Sequence, residues 1–537
     1  MPIERSKEKD YKTLSTPSKD SGEPQSDLPS LRSSANEPAF TKSENLVNLH
    51  FTYANDVTTP AENSNTEKTA KADDDEYLAA NKDAAERIKD SSKDLKTAKK
   101  QKRDEKDREL LGHEQWLARN GHSLTYFGLY LFSILVLFRP YELIPGLSFL
   151  SATAFYFAIA TLAIFIPSQL ATEGNLTTMS TEVKAILAMT LIALATIPIA
   201  KDPGLAWEKF NDPYIKAVII FIVLVNVVRT RKRLMGMMWL SFGIAVYLSS
   251  AALDLYLKGQ FNVEEYRIKV DVGGMFGNPN EMAMHFVMMT PLVITLGIAA
   301  KNKLMKFVYF AMAVIFVGAN MVTYSRGGFL GLIVCMAVLA WKLGRKQRLN
   351  VTIASIVVGG IAILAAPGNY GLRMLSIFIP GLDAVGSSDQ RKELLERSLL
   401  VTARNPWGIG IGNFPIVGVR NLQTHNAFTQ VSSELGILGL IAYLIFMISP
   451  YRKLGAIERR HFDEDKQDWF YYLAIGLQAS IIGYMVSSFF AAVAYNWFIY
   501  YLIAYAVAFR RTYTLEKEQE ESVSTAFPLR SEAAEAT

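Results

Sequence analysis

Three residues that lie far apart in the sequence, Arg326, Arg391 and His425, have side chains whose chemistry could be combined in one site. Arg326 stands in the segment 324–328, Tyr-Ser-Arg-Gly-Gly, between two apolar stretches with almost no loop between them. An arginine in such a position is energetically unfavourable unless it is paired or bound to an anion. Because a guanidinium binds phosphate through two parallel hydrogen bonds and keeps its charge, Arg326 is interpreted as an anion ligand. The alternative is an interfacial arginine whose charge reaches the lipid headgroups.

A long polar segment, residues 367–424, follows the next apolar stretch and carries several more arginines. A connection of this length between two apolar stretches is more typical of a functional site than of a simple linker. Arg391 could bind an anion or pair with the neighbouring Asp389 or Glu393. Three further arginines are candidate phosphate ligands or solvated loop residues, namely Arg373, Arg397 and Arg404.

His425 is expected to begin a helix that leads into the following apolar stretch. The positive end of a helix disfavours a protonated imidazole, so the ring should stay neutral and able to accept a proton from a hydroxyl. A polar helix cap or a hydrogen-bonded core histidine is the alternative interpretation. No histidine cluster or aspartate pair with metal-ligand spacing accompanies it, so the sequence indicates no metal and no cofactor. The acidic residues of the long segment are the alternative, as ligands of a metal ion.

The elements that must position these residues are membrane-spanning helices. Half of the 537 residues are hydrophobic, yet the charges concentrate in the two terminal segments and in short clusters. Between them lie apolar runs about as long as a bilayer core is thick, which predicts an all-α polytopic membrane protein with about twelve transmembrane helices. The predicted spans lie near Leu124–Phe138, Ser148–Ile166, Lys184–Ala200, Tyr214–Val228, Leu234–Leu253, Glu281–Ala299, Leu304–Tyr324, Gly327–Trp341, Val351–Ala366, Asn426–Ile448, Trp469–Phe489 and Val493–Phe509.

The positions of the basic clusters predict the orientation of these spans. With both termini in the cytoplasm, the clusters fall at the cytoplasmic junctions, as the positive-inside rule requires. These clusters are Arg229–Arg233, Lys301–Lys306, Lys342–Arg348, Arg452–Arg460 and Arg510-Arg511. The large loop 367–424, between the ninth and tenth spans, then lies outside, together with Arg326 and His425. Topology alone therefore brings the candidate residues to one membrane surface.

The chain divides into three parts by composition. Residues 1–120 form a charged cytoplasmic tail that is expected to be largely disordered, with a solvated helix as an alternative over 76–110. This tail could also bind a partner or the membrane surface through its basic stretch 99–108. Residues 121–512 form the transmembrane domain, and residues 513–537 form a second cytoplasmic tail.

Several classes of protein are disfavoured by the composition. The net charge of +5 is small and the basic clusters sit beside apolar spans, so no nucleic-acid partner is expected. Cys335 is the single cysteine, which leaves no disulfide within the chain and no cysteine metal site. The first residues lack an apolar core, so no cleaved signal peptide is expected, and no P-loop motif is present.

Several motifs in this order resemble the signature of the bacterial O-antigen ligase and O-antigen polymerase superfamily. The segment 405–414, Asn-Pro-Trp-Gly-Ile-Gly-Ile-Gly-Asn-Phe, is followed by His425-Asn426 and by 434–439, Glu-Leu-Gly-Ile-Leu-Gly. The turn containing Arg326 is similar to the arginine turn of that family. The segment 277–280, Gly-Asn-Pro-Asn, resembles its motif before the following span. The likeness covers roughly residues 124–510.

The resemblance implies a function and assigns roles by position. Members of this family transfer a glycan from a lipid-linked pyrophosphate, usually undecaprenyl pyrophosphate, to an acceptor hydroxyl. A metal-independent, inverting transfer at the periplasmic face of the bacterial inner membrane is therefore implied. Arg326 and Arg391 match arginines that hold the donor pyrophosphate, and His425 matches the histidine that activates or orients the acceptor. Another alignment gives Arg373 or Arg397 the place of Arg391. Substrate-binding candidates under the resemblance are Asn278, Asn280, Arg373, Arg397 and Arg404.

Two alternatives stay open at the level of sequence. The acceptor could be a glycolipid such as the lipid A core, a growing polysaccharide, or a protein hydroxyl, so a polymerase or a protein O-oligosaccharyltransferase of the same superfamily is an alternative. A transporter or flippase for lipid-linked glycans is a second alternative from another class. It should carry charges deep inside several spans and inverted repeats of broken helices, whereas these spans are nearly free of charge.

Overall fold

The computed structural model describes residues 97–98, 101–102, 120–147, 150–263, 266–270, 272, 276–346, 348–364, 370–375 and 387–535. These residues form helices joined by short connections, with no β-strand among them. The principal helices, numbered in chain order, are α1 (Asn120–Phe138), α2 (Leu150–Glu173), α3 (Thr181–Thr196), α4 (Pro203–Val227), α5 (Arg231–Leu257), α6 (Pro279–Ala299), α7 (Lys303–Val322), α8 (Arg326–Leu343), α9 (Arg348–Leu364), α10 (Tyr370–Leu375), α11 (Ser387–Arg404), α12 (Phe414–Val417), α13 (Ala427–Glu434), α14 (Gly436–Asp463), α15 (Trp469–Ser488) and α16 (Trp497–Glu535).

Within the described residues, nine helices are long and apolar enough to cross a membrane. They are α1, α2, α4, α5, α6, α7, α8, α14 and α15. The predicted all-α polytopic membrane fold is therefore confirmed. The other three predicted spans overlap α3, α9 and α16, which do not meet the same criteria of length and apolarity. The total of twelve spans stays a prediction.

Helices α6 and α15 form the centre of the bundle. Their most apolar segments are 83% and 78% buried, more than those of the other candidate spans. The two helices pack against each other, and α8 packs against both of them. Helix α14 packs against α15 and also against α3. A helix that is apolar around its whole circumference is expected in such a central position.

The structure corrects two sequence predictions near the long loop. The tenth span was predicted as continuous from Asn426 to Ile448, but it is divided into α13 and α14 at Gly436, whose φ is +76°. Glycine adopts this left-handed conformation without the steric penalty of a Cβ atom. Among its described residues, the segment predicted as a polar loop also contains three α-helices, of which α11 is the longest. Leu394 and Val401 are buried along one side of α11, so the helix is stabilised by an amphipathic face.

The predicted terminal segments are described in part. The tail 1–120 and the helix at 76–110 lie outside the described residues, except for helical residues 97–98 and 101–102 and residue 120. The second predicted tail begins within α16, which continues as one helix to Glu535. The C-terminal segment is therefore helical over almost its whole length.

Buried ion pairs join three helices at one end of the bundle. The carboxylate of Glu182 in α3 is fully buried and accepts two hydrogen bonds from Arg510 of α16, at 2.6 and 3.0 Å. Lys453 and Ser449 of α14 also donate to Glu182, at 3.2 and 2.9 Å. Arg510 and Lys453 belong to predicted cytoplasmic basic clusters, so these clusters have a structural function in addition to a topological one.

Candidate active site

Arg326, Arg391 and His425 line the same cavity, which has a volume of about 250 Å³. The start of α8, the first half of α11, the turn before α13 and the end of α15 meet there. The other lining residues are Leu330, Lys392, Leu395, Thr424, Asn426, Phe489 and Phe490. Four separate parts of the chain thus place two guanidinium groups, an ammonium group, an imidazole and an aromatic pair around one space.

The position of Arg326 is fixed by hydrogen bonds in the turn that precedes α8. Ser325 caps the helix: its hydroxyl oxygen accepts from a backbone N–H of the first turn, and its O–H donates to Asn280 Oδ1 at 2.9 Å. The same Oδ1 accepts from Nη2 of Arg267 at 2.8 Å, and Nε of Arg267 donates to the carbonyl of Thr323 at 3.0 Å. Arg326 itself is only 8% exposed. The turn is therefore held by hydrogen bonds to both Arg267 and Asn280, without any ligand.

Close helix packing also fixes the start of α8. A Cβ atom on Gly328 would lie 2.6 Å from the Cβ of Ala283 in α6. A Cβ atom on Gly331 would lie 1.9 Å from the hydroxyl oxygen of Ser487 in α15. Small residues of this kind let membrane helices approach closely, and a larger side chain would push α8 away from its neighbours. The backbone of α8 at Arg326 is consequently held rigidly by its neighbours.

Arg391 and Lys392 reach the cavity from α11, which packs against α13. The two helices are joined by a hydrogen bond between the hydroxyls of Thr402 and Ser432, at 2.9 Å. Arg391 is half-buried and close enough to His425 to act on it electrostatically. Helix α11 thus brings Arg391 to the histidine, while Lys392 lines the cavity with an exposed side chain.

His425 lies in a turn before α13 and does not begin the helix, which corrects the sequence prediction. Its φ is +50°, and the following residue, Asn426, is the helix cap. The Asn426 side chain accepts hydrogen bonds from the N–H groups of Phe428 and Thr429, at 2.9 and 3.1 Å. Burial, and then the charge of Arg391, lower the pKa of His425 below its ordinary value, so the ring is neutral at pH 7. The neutral state agrees with the prediction, but it arises from burial and Arg391 rather than from a helix end.

The glycine segment, which we define as residues 405–413, clamps the junction between α13 and α14. Its N–H groups at 409 and 410 donate to the carbonyls of Ser433 and Glu434, at 3.0 and 2.9 Å. In return, the N–H of Ile437 donates to the carbonyl of Pro406 at 2.9 Å. Three glycines of the segment have φ between +74° and +96°, namely Gly408, Gly410 and Gly412. The motif therefore supports the helix that follows His425 and does not itself line the cavity.

Among the described side chains, the remaining candidates from the sequence do not line this cavity. Nε of Arg397 donates to the carbonyl of Val417 at 2.9 Å and so ties α11 to α12, while Arg404 is exposed at the end of α11. Arg373 belongs to α10, and its side chain lies outside the described part of the chain. Asn278 caps α6 by accepting from the N–H of Asn280 at 2.9 Å. The roles of these residues as substrate ligands stay predictions. The described contacts of Asn278 and Asn280 are structural, since they hold the start of α6 and the turn before α8.

Four residues that line or support the cavity were not predicted from the sequence. Lys392 and the aromatic pair Phe489-Phe490 line the cavity, and Arg267 holds the turn before α8. Lys392 could have been noticed because it follows Arg391 directly. The aromatic pair ends a predicted span, where aromatic residues are common at the membrane interface, so it gave no distinct signal. Arg267 lies in a loop between two spans. Its hydrogen bond to Asn280 forms only in the folded protein, so the sequence gives no sign of it.

The arrangement can bind an anion and accept a proton. The guanidinium and ammonium groups suit a phosphate or diphosphate, and the neutral imidazole beside them can take a proton from a hydroxyl. In the part of the chain that the structure describes, no three His, Cys, Asp or Glu side chains are grouped so that they could hold a metal ion. The described cavity is thus a cationic site with one candidate base, at the end of a membrane bundle.

The fold and the cavity define a polytopic membrane protein with a cationic cavity at one end of its bundle. Residues 309–444 match the family model described as O-Antigen ligase. The match contains the three principal cavity residues and confirms the resemblance to the O-antigen ligase superfamily, whose members are glycosyltransferase-like membrane enzymes. No curated protein matches the chain.

Proposed function

We propose that this protein is a glycosyltransferase of the O-antigen ligase type. It moves a glycan from an undecaprenyl-pyrophosphate-type donor to an acceptor hydroxyl at the periplasmic face of the bacterial inner membrane. The observation that carries the proposal is the meeting of Arg326, Arg391 and His425 around one cavity. Because these residues come from separate parts of the chain, their convergence is not a consequence of sequence proximity.

In the proposed reaction, the acceptor oxygen forms a bond to the anomeric carbon of the donor sugar as the bond from that carbon to the pyrophosphate oxygen breaks. The neutral ring of His425 accepts the hydroxyl proton, and the polyprenyl pyrophosphate leaves with the bonding electron pair. Attack from the face opposite the leaving group inverts the anomeric configuration. No metal is required in this scheme, since the protein's own cations stabilise the leaving group.

The two arginines have different tasks in this scheme. Arg326 is mostly buried on a rigid turn, which suits a fixed contact to the pyrophosphate. Arg391 lies beside His425, so it can contact the leaving group while its charge also keeps the imidazole neutral. One cation thereby serves both the leaving group and the base.

The proposed orientation places the cavity on the periplasmic side and both termini in the cytoplasm. It is supported by the basic clusters at the other end of the bundle. A cysteine at position 387 should react with an impermeant thiol reagent in whole cells, whereas a cysteine at position 456 should not. The parental Cys335 is buried and is replaced by alanine in both variants. The reverse labelling pattern would invert the proposed orientation.

The acceptor distinguishes the alternatives within the superfamily. A glycolipid acceptor makes the protein a ligase, a glycan acceptor makes it a polymerase, and a protein hydroxyl makes it an O-oligosaccharyltransferase. The structure favours an enzyme of this group over a flippase, because the candidate site charges cluster in one cavity at one end of the bundle.

A reconstituted transfer assay tests the proposal. The full chain in proteoliposomes, supplied with an undecaprenyl-pyrophosphate glycan and a glycolipid acceptor, should form glycosylated product and release undecaprenyl pyrophosphate. Arg326→Lys keeps the charge but loses the two-pronged contact, so transfer should fall about tenfold or more. Arg420→Gln removes an exposed arginine outside the cavity and is the matched control. Equal activity of Arg326→Lys and the parent, at equal folded protein, would remove the pyrophosphate role of Arg326.

A further inference from the structure

A second cavity, of about 400 Å³, lies at the other end of α8 from the candidate active site. Arg326 begins α8 and Lys342 lies in its last turn. At a rise of 1.5 Å per residue, the two residues are about 24 Å apart, close to the thickness of a bilayer core. The second cavity is thus a separate site, on the side that the basic clusters predict to be cytoplasmic.

This cavity carries an excess of positive charge. Four cations and one carboxylate line it, which leaves three positive charges in excess: Lys342, Arg345, Arg452 and Arg459 against Glu458. Glu458 is fully buried, with an oxygen 3.0 Å from Nζ of Lys342 and another 2.8 Å from Nη2 of Arg345. Within the described part of the chain, Arg452 and Arg459 take part in no ion pair. Such a cavity favours an anion with several oxygen acceptors.

The positive-inside pattern explains the number of these cations but not their convergence. The rule requires basic residues near the cytoplasmic ends of the spans and makes no demand on their contacts. Here, clusters from two separate junctions meet in one cavity, and Lys342 is buried against Glu458 instead of reaching into solvent. A buried lysine and carboxylate are unfavourable without a structural or binding function.

An apolar groove continues from the basic cavity along α14. The groove has a volume of about 530 Å³, and Arg452 lines both the groove and the cavity. Its isoleucines are 40–48% exposed. Residues of both sites recur at intervals of three and four along one face of the helix: Ile441, Ile445, Ile448, Arg452, Gly455 and Arg459. One helix face is therefore apolar toward the bilayer centre and cationic at its cytoplasmic end.

We propose that this surface, which we call the basic lipid site, binds an anionic phospholipid of the cytoplasmic leaflet. The phosphate occupies the cavity between Arg452 and Arg459, and an acyl chain lies in the groove beside Ile441 and Ile445. Charge complementarity selects the headgroup, and the apolar groove selects a lipid over a free anion. The site is independent of the proposed transfer reaction.

The test measures lipid binding by native mass spectrometry. The delipidated full-length protein in a neutral detergent is titrated with dioleoyl phosphatidylglycerol, with zwitterionic dioleoyl phosphatidylcholine, and with inorganic phosphate. Phosphatidylglycerol should bind about tenfold more tightly than phosphatidylcholine, because only its headgroup carries net negative charge. The double variant Arg452→Gln/Arg459→Gln should lose about tenfold in affinity for phosphatidylglycerol and little for phosphatidylcholine.

A matched control removes the same charge elsewhere on the same side. Arg460→Gln/Lys466→Gln takes two exposed cations from around Glu464, outside the cavity, and should bind phosphatidylglycerol within about twofold of the parent. Arg452→Lys/Arg459→Lys keeps the charge and should retain most of the affinity, which preserves the test if the glutamine variant misfolds. Equal binding of the two lipids, or equal losses in test and control variants, would overturn the proposal. Saturable binding of inorganic phosphate that displaces the lipid would identify a free-anion site instead.

Discussion

Gly408→Ala is the substitution that tests most sharply whether the glycine segment clamps the helix beside His425. Gly408 has a φ of +92°. An added Cβ atom would lie 2.4 Å from the carbonyl oxygen of Glu434 and 2.7 Å from the backbone nitrogen of Gly436. Both are backbone atoms, which have no rotamer by which to move away. The alanine must therefore strain the clamp or open it.

The magnitude follows from two contributions. A left-handed conformation costs a residue with a Cβ about 1–2 kcal/mol, and overpacking adds about 1–3 kcal/mol. Opening the clamp instead would lose at least two backbone hydrogen bonds of about 1 kcal/mol each. We expect a loss of about 3 kcal/mol in the free energy of unfolding. Since the unfolding entropy is about 2.1 cal/mol/K per residue, a unit spanning residues 95–537 should show a Tm about 3 °C lower.

Thermal unfolding of the purified protein in detergent, followed by tryptophan fluorescence, measures this change. The matched control is Gly360→Ala in α9, where an added Cβ atom has no neighbour within 4 Å. The control should leave Tm unchanged or raise it slightly, because alanine favours a helix by about 0.5–1 kcal/mol over glycine. A parental Tm in Gly408→Ala would show that the glycine segment does not clamp the junction between α13 and α14.

Two further predictions concern charges. Arg391→Gln removes a charge that lowers the pKa of His425, so the pKa of the imidazole should rise. The acid limb of the pH–rate profile of glycan transfer should then move to higher pH. An acid limb at the parental pH would exclude His425 as the titrating base. Arg510→Gln removes both guanidinium hydrogen bonds to the buried carboxylate of Glu182, and should destabilise the protein by about 2–3 kcal/mol in thermal unfolding. An unchanged Tm in that variant would show that the lysine alone neutralises Glu182.

The convergence of the cavity residues was largely predictable from the sequence. The alternation of apolar spans and basic clusters places the turn at Arg326 and the residues before α13 at the same end of the bundle. Residue type then singles out His425 and the arginines, since guanidinium and imidazole side chains are rare and costly beside a bilayer. Arg391 also lines the cavity, although the sequence predicted for it a loop rather than a helix.

Other features depend on contacts that leave no local signal. The tenth span is broken because the N–H of Ile437 donates to the carbonyl of Pro406, about thirty residues earlier in the chain. The apolar run after Leu435 looks continuous in the sequence, and only the positive φ of Gly436 reveals the break. Similarly, Arg267 matters because Asn280 accepts its hydrogen bond, and the spacing of the two residues follows no helical or strand pattern.

The single-turnover rate of glycan transfer by His425→Gln measures directly whether His425 accepts the hydroxyl proton. Donor binding is measured separately on the same preparations, with the amount of folded protein matched to the parent. If His425 accepts the hydroxyl proton, the rate should fall about a hundred- to ten-thousand-fold while donor affinity stays close to parental, since glutamine keeps a hydrogen bond but takes up no proton. A His425→Gln protein that transfers glycan at the parental rate would show that His425 is not the base.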